Sequence, residues 1–566
     1  MASKMFFDGR SYSTPTTASR VDDTAMAPKA LTVGNVMALI GRATGSKPNT
    51  VVRHGGPTEA RKVLKSGELC DAAVDAFAPS AQTNAPSEVV TIRVGRATQA
   101  QLVLNDSASA PAVILMSADW GPEGNQIKAR IEAGTVRGKR VTVALRDVAY
   151  QQDNVARELM AVRYAGAGAT AVITTAPESV LLTVAGATAA NILLADFPTL
   201  QDLADRIASV PGFSAVLVAG AAQQPSGTID RITSVDVKTA DVMLTGHLQA
   251  VIDWLNSPAA PIVSATRAAN ASLPPANIGF TYLAGGTEPA VNNADWQAAF
   301  DVLQLADVQW FVPVSGDAAV HAMADAHAIF MSSAARKERR GFVGGPAGLT
   351  VDAVPARAKA IASDRTAFVW PARAGFDATG KLVIRPGYMT AVLVAAGFAG
   401  LPPGETMSNK TIRVPGLEFP VRNPVDTDVL IQAGVCCVEE TDEGFKVVRA
   451  VSTHLANDNF NRVEISTGAA TDYVARNVRQ AVDPCRGQGA DPRNLARAVS
   501  LADSALRELE RAGIIVGDEN SPAFRNIRAF MQGDIIAVEF ECSPKIPTNF
   551  ISVSIALVPY SGTATA

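Results

Sequence analysis

The longest apolar run in the chain, Tyr388 to Leu401, constrains the fold more than any other stretch. It falls short of the ~20 residues that a membrane-spanning helix needs, contains Gly397 and Gly400, and stops at Pro402-Pro403. It reads as a helix buried inside a soluble protein, with no membrane insertion. Its neighbours supply the cover. Between Ile278 and about Leu417 the pattern predicts helices over Trp296–Leu305 and Ala318–Arg339 and a strand over Gln309–Val314. Phe342-Val-Gly-Gly and Ala367-Phe-Val-Trp follow, and such alternation implies a sheet covered on both faces.

A chain of 566 residues is too long for one core. The first segment, with Ser11-Tyr-Ser-Thr-Pro-Thr-Thr and Val21-Asp-Asp-Thr, is polar and reads as an extended arm. A strand over Val33–Ile40, a helix over Glu59–Leu69 and a strand over Val89–Val94 continue the α/β pattern. From Asn105 the texture changes to short apolar runs, such as Ala171–Thr174, Val180–Val184 and Ala215–Val218, between turn residues. Near the end, Asp491-Pro492 predicts a capped helix start and Gly513 its stop. Two strands then alternate with period two: Ile536, Val538, Phe540 and Cys542 on one face, and Ile551, Val553, Ile555 and Leu557 on another.

The fold class is therefore mixed α/β and multidomain. The expected parts are an arm over 1–30, an α/β core from 31–104 and 276–417, an outer strand-rich insertion over 105–275, and a C-terminal α+β module over 418–566.

Hydrophobic residues make up 48% and charged residues 18%, a globular composition with the bland surface that burial in an assembly tolerates. A formal net charge of −4 argues against a nucleic-acid partner. The start, Met1-Ala-Ser-Lys-Met-Phe-Phe-Asp, lacks a signal-peptide layout, so cytoplasmic synthesis is expected.

Catalytic signatures fail on context. Gly166-Ala-Gly168-Ala-Thr-Ala171 matches a loose dinucleotide fingerprint, but Glu158–Tyr164 reads as helix where a strand is needed. Gly134-Thr-Val-Arg-Gly138-Lys139-Arg140 is too short for a phosphate loop. His321 and Asp325 share a helix face that His327 leaves, so no ligand trio forms and polar or capping roles are expected. Five cysteines show no CxxC spacing, and no G-x-S-x-G elbow occurs. No catalytic, cofactor or metal site is expected.

Several stretches, taken in order, resemble contractile phage tail sheath subunits. Ala118-Asp-Trp-Gly-Pro-Glu-Gly-Asn125 is similar to the family's G-x-x-GN turn, and Thr281-Tyr-Leu-Ala-Gly-Gly-Thr287 with Ala294–Leu303 to its L-x-GG turn and following helix. Val320 to Met331-Ser-Ser, Arg336-Lys-Glu-Arg-Arg340, Phe342-Val-Gly-Gly, Ser363-Asp-Arg365 and Val369-Trp-Pro371 continue it. So do Ala391–Gly397, Val447–Thr453 and Asp534–Phe540, over about two-thirds of the chain; Gln151–Pro275 matches least.

The resemblance implies a helical homo-oligomer of stacked six-fold discs around a tail tube protein, with baseplate and tail terminator proteins as further partners. It implies a place in the virion tail, contraction during genome delivery, and exchange of both terminal strands between subunits. The residues fit that exchange, because an arm without a core and a final strand with one apolar face suit strand addition. The same pattern is compatible with a sheath of a bacterial injection or secretion device. An α/β hydrolase or dehydrogenase is the enzyme alternative.

Two sets of residues are singled out. Val474, Val478 and Val482 form one stripe of a helix over Asp472–Val482 and leave Arg476 and Arg479 exposed; with Arg493 and Arg497 these are the tube-contact candidates. Cys436, Cys437 and Cys485 are the candidates for a disulfide between subunits. Cys485 is expected exposed in its loop, Cys542 in the core, and Cys436 and Cys437 on opposite strand faces.

Overall fold

The computed structural model describes residues 5–7, 10–12, 35–377, 379–489 and 491–557. Its centre is a nine-stranded sheet in the order Thr411–Ile412, Gly444–Val447, Val435–Thr441, Thr366–Trp370, Arg340–Gly344, Trp310–Pro313, Val36–Gly41, Glu88–Arg93, Val51–His54. The six strands from Val435–Thr441 to Glu88–Arg93 run parallel, and the flanking strands pair antiparallel. Strands buried on both faces need no alternation, which is why Trp310–Pro313 and Thr366–Trp370 are buried at every position.

The apolar run forms the helix Gly387–Ala399, with all thirteen residues buried. It lies on one face of the sheet, where Phe398 stacks on Trp310 with ring centroids 5.2 Å apart. A Cβ on Gly344 would sit 2.3 Å from the Gly387 backbone, so only glycine lets helix and strand approach this closely. The other face carries Phe300, Phe311, Phe368 and Leu430.

Parallel strands give the sheet two distinct poles. Asp307, Arg340 and Arg365 stand at or just before strand starts. At strand ends, Gly344 meets Gly387, and Thr366–Trp370 leads into a hairpin of Arg373–Phe376 and Leu382–Arg385.

Four sequence expectations are corrected. Glu158–Tyr164 is a strand, not a helix: Met160, Val162 and Tyr164 point inward with period two, and strands Phe213–Leu217 and Val242–Thr245 flank it. The Gly166–Ala171 segment thus does follow a strand, but it opens another strand, Ala171–Thr175, so no helix N-terminus is available for a phosphate. The predicted Glu59–Leu69 helix is two helices, Pro57–Leu64 and Glu68–Ala76, broken where Lys65 and Gly67 take positive φ. The helix expected to reach Arg339 stops at Ser333, and Arg336 takes φ 55°.

The region between Gln99 and Tyr282 is built of short antiparallel sheets, with helices Leu200–Ala208 and His247–Leu255 packed in. Towards the C terminus, helices Ile465–Val482 and Pro492–Arg511 pack on each other and on a hairpin of Phe524–Gln532 and Ile535–Cys542. Asp491 caps the second helix by accepting from the Asn494 amide at 2.8 Å, as the sequence predicts. Of the N-terminal arm, Met5–Phe7 and Arg10–Tyr12 pair with each other; the rest lies outside the described residues.

Candidate functional site

The helix Ile465–Val482 divides its surface between two jobs. Tyr473, Val474 and Val478 face the neighbouring helix, while Asp472, Arg476 and Arg479, spaced i, i+4, i+7, form a second stripe towards the sheet's N-terminal pole. Asp472 meets Arg365 at 2.8 Å and Arg340 at 3.1 Å. Arg476 pairs with Asp307 at 3.0 Å and donates to the Glu338 carbonyl at 2.7 Å; Arg479 meets the Glu338 carboxylate at 2.6 Å. The result is a charged seam that holds the C-terminal helices on the sheet.

This seam changes the reading of the arginine candidates. Arg476 was expected exposed, yet only 13% of its side chain is accessible, because the acids of the pole reach it first. Arg479 is likewise engaged within the subunit. Arg493 and Arg497 are exposed on Pro492–Arg511 and have no ion-pair partner among the described residues. Sequence reasoning missed Asp472, Arg340 and Arg365, although the charge spacing of 472, 476 and 479 was visible.

The last described segment is built differently. Lys545 pairs with Glu405, Asn549 Nδ2 donates to Glu464 Oε1 at 2.9 Å, and Arg449 lies over the Phe550 ring. The described residues beyond that anchor, 551–557, form no strand, and Ile551, Val553, Ile555 and Leu557 are 75–93% exposed. The hairpin of Phe524–Gln532 and Ile535–Cys542 pairs only with itself, leaving both outer edges without a ladder partner among the described residues.

No family model matches the chain. It is 26% identical to the tail sheath protein of Bacillus phage SP01 over 579 aligned positions, covering 98% of this chain and 97% of that one. The tail sheath protein of Staphylococcus phage Twort is 25% identical, with 84% of this chain and 86% of that one covered. Over almost its whole length the chain is similar to phage tail sheath proteins. The fold agrees: the crystal structure of a sheath tail protein from Listeria innocua superposes with a TM-score of 0.55 at 14% identity, over 92% of this chain and 94% of that one. A sheath tail protein from Desulfitobacterium hafniense gives 0.53 at 11% identity, over 94% and 96%.

The cysteine candidates lie inside the subunit. Cys436 and Cys437 do face opposite sides of a strand, but that strand belongs to the central sheet, so both are 0% exposed. Burial pushes the Cys436 thiol up to about 12 and raises Cys437 as well. Cys485, expected exposed, is buried at 6%, and Cys542, expected in the core, is half-buried. All three candidates for a disulfide between subunits are thus buried in the single subunit, Cys485 beside a cleft under the terminal hairpin.

The helix histidines make contacts within the fold. His321 hydrogen-bonds the Ser315 carbonyl at 2.9 Å, and Asp325 accepts from Thr366 at 2.7 Å. His327 sits against Phe300 and Phe311 and meets Arg339 Nη1 at 3.2 Å. Among the described residues no group of three or more His, Cys, Asp or Glu is placed to hold a metal, and no helix is long and apolar enough to cross a membrane.

Proposed function

We propose that this chain is the structural subunit of a contractile phage tail sheath, polymerising as stacked six-fold discs around the tail tube and contracting to drive the tube through the host envelope. The observation that carries this is the C-terminal segment. Four alternate apolar side chains, Ile551, Val553, Ile555 and Leu557, stand exposed and pair with no strand among the described residues. An exposed apolar segment of that size is unfavourable in a free protein and becomes favourable once a neighbour's sheet edge accepts it. The two open edges of the terminal hairpin are such acceptors.

Strand exchange at both termini would link subunits by main-chain hydrogen bonds while leaving their bodies free to rotate, which suits a lattice that shortens. The tube would meet Arg493 and Arg497, exposed guanidinium groups whose weak, salt-screened contacts release readily. Contraction is then relaxation between two packings of one lattice, needing no bound cofactor. Assembly in the host cytoplasm and docking on baseplate and terminator proteins complete the proposal. Negative-stain imaging of the purified protein tests it: sleeves or tubes are expected, and a protein that stays monomeric at all concentrations would end it.

A further inference from the structure

The terminal hairpin and the two C-terminal helices enclose a cleft of about 390 Å³ beside the N-terminal pole of the central sheet. Val482, Met531, Ile536 and Val538 give it apolar walls, and all four are only half-buried. Met531 and Ile536 are cross-strand neighbours, with Val538 on the same face. Of its charged lining, Arg479 is held by Glu338 and Arg486 by Asp483, while Arg336 is exposed; two further polar groups lack partners. Asn494 is 7% exposed; its Nδ2 donates to the carbonyls of Cys485 at 3.1 Å and Gly489 at 3.3 Å, while its Oδ1 has no donor. A buried acceptor without a donor is unfavourable, which marks a place where a donor belongs. Asp534 at the rim is exposed and has no ion-pair partner among the described residues.

At the opposite pole stands the hairpin of Arg373–Phe376 and Leu382–Arg385. Phe376 pairs across to Leu382 and Ala374 to Ile384, so Phe376, Leu382 and Ile384 share one face; they are 62%, 53% and 44% exposed. Beside them Lys381 is exposed and unpaired among the described residues. Apolar face and ammonium together are the complement of the cleft: side chains for its walls, a donor for Asn494 Oδ1 and a positive charge for Asp534.

We infer that the Phe376–Leu382–Ile384 face of one copy seats in the Met531–Ile536–Val538 cleft of the next copy of this chain. The occupant is a second copy because key and socket lie at opposite ends of one parallel sheet. They cannot meet within a subunit, but a copy placed head to tail brings them together. Such a heterologous contact does not close on itself, so it builds an open helical array. The inference rests on the sheath reading for its setting and adds a contact distinct from strand exchange.

Charge exchange tests it. Lys381→Glu and Asp534→Lys, both at exposed positions, are each expected to raise the concentration needed for polymerisation roughly tenfold, and the double variant to recover most of it. Singles that assemble like the parent, or a double no better than the worse single, overturn the contact. A parent that forms no tubes ends the sheath reading instead. The contact is then scored on soluble oligomers with Leu382→Cys and Ile536→Cys in one chain under a mild disulfide-forming oxidant. A reducible ladder supports it, and monomer alone overturns it. A ladder from Val553→Cys with Ile536→Cys but not from the first pair assigns the cleft to a neighbour's tail, and also overturns it.

Discussion

Arg365 Nη1 lies 2.8 Å from both carboxylate oxygens of Asp472, which also holds Arg340, a side chain only 5% exposed. Removing the carboxylate would leave Arg340 buried without its counter-charge. Asp472→Asn is therefore expected to destabilise the subunit by about 3 kcal/mol. Denaturant unfolding measures the loss, and hydrogen exchange should rise first in 465–482. A change below about 0.5 kcal/mol would show the seam to be dispensable.

Truncation before Phe550 separates assembly from folding. The removed Ile551, Val553, Ile555 and Leu557 are at least 75% exposed, so the monomer's midpoint should move by no more than about 2 °C while polymerisation is lost. Deleting Met1 to Arg20 is expected to act alike. Tubes of ordinary yield from either truncated protein would count against strand exchange.

The arginines should split into two classes. Arg493→Glu with Arg497→Glu, on exposed sites, is expected to leave stability unchanged within about 0.5 kcal/mol and to weaken assembly on tubes. Arg476→Glu places a like charge against Glu338, itself buried, and should unfold the subunit at lower denaturant whether or not a tube is present. Normal tube decoration by the Arg493/Arg497 variant would remove both from the tube surface.

Stability should fall on mild acidification. Burial lowers His321 to about 4; burial, and next the Arg339 guanidinium, lowers His327 to about 3. Both are neutral when folded and titrate near 6.5 when unfolded, so the unfolded state takes up protons first as pH drops. The histidine contribution is fully present above pH 6.5 and is lost between there and pH 3–4, by roughly 3 kcal/mol for His327 at pH 4. Unfolding curves at pH 7.5, 6 and 5 read it. Burial raises Asp325, which acts in the opposite sense at lower pH, so the pH 6–7 interval isolates the histidines. A flat profile there would show that they are protonated in the fold.

Thiol labelling should follow burial. In the native subunit, Cys542, half-exposed, is expected to react first. Cys436 and Cys437 should react only on unfolding, their thiolates disfavoured by burial. Assembled protein on non-reducing gels should run as monomer once thiols are blocked before denaturation. A ladder lost in Cys485→Ser would reverse this.

Local pattern was enough for the buried helix at Gly387–Ala399, the alternation that builds a doubly covered sheet, and the capped helix from Pro492. Each rests on short-range spacing, and one-dimensional order carries that. The strand expected over 551–557 is not formed in the single subunit, whose described residues there have no regular structure. Three outcomes needed the tertiary structure. Glu158–Tyr164 became a strand because partners on both edges outweighed its helical residues. Arg476 turned inward because Asp307 and Glu338, more than a hundred positions away, converge on it. Cys437 is sealed because its strand joins a sheet whose second face is covered by helices from elsewhere in the chain. Long-range pairing decides which face of a residue meets solvent, and spacing along the chain does not record it.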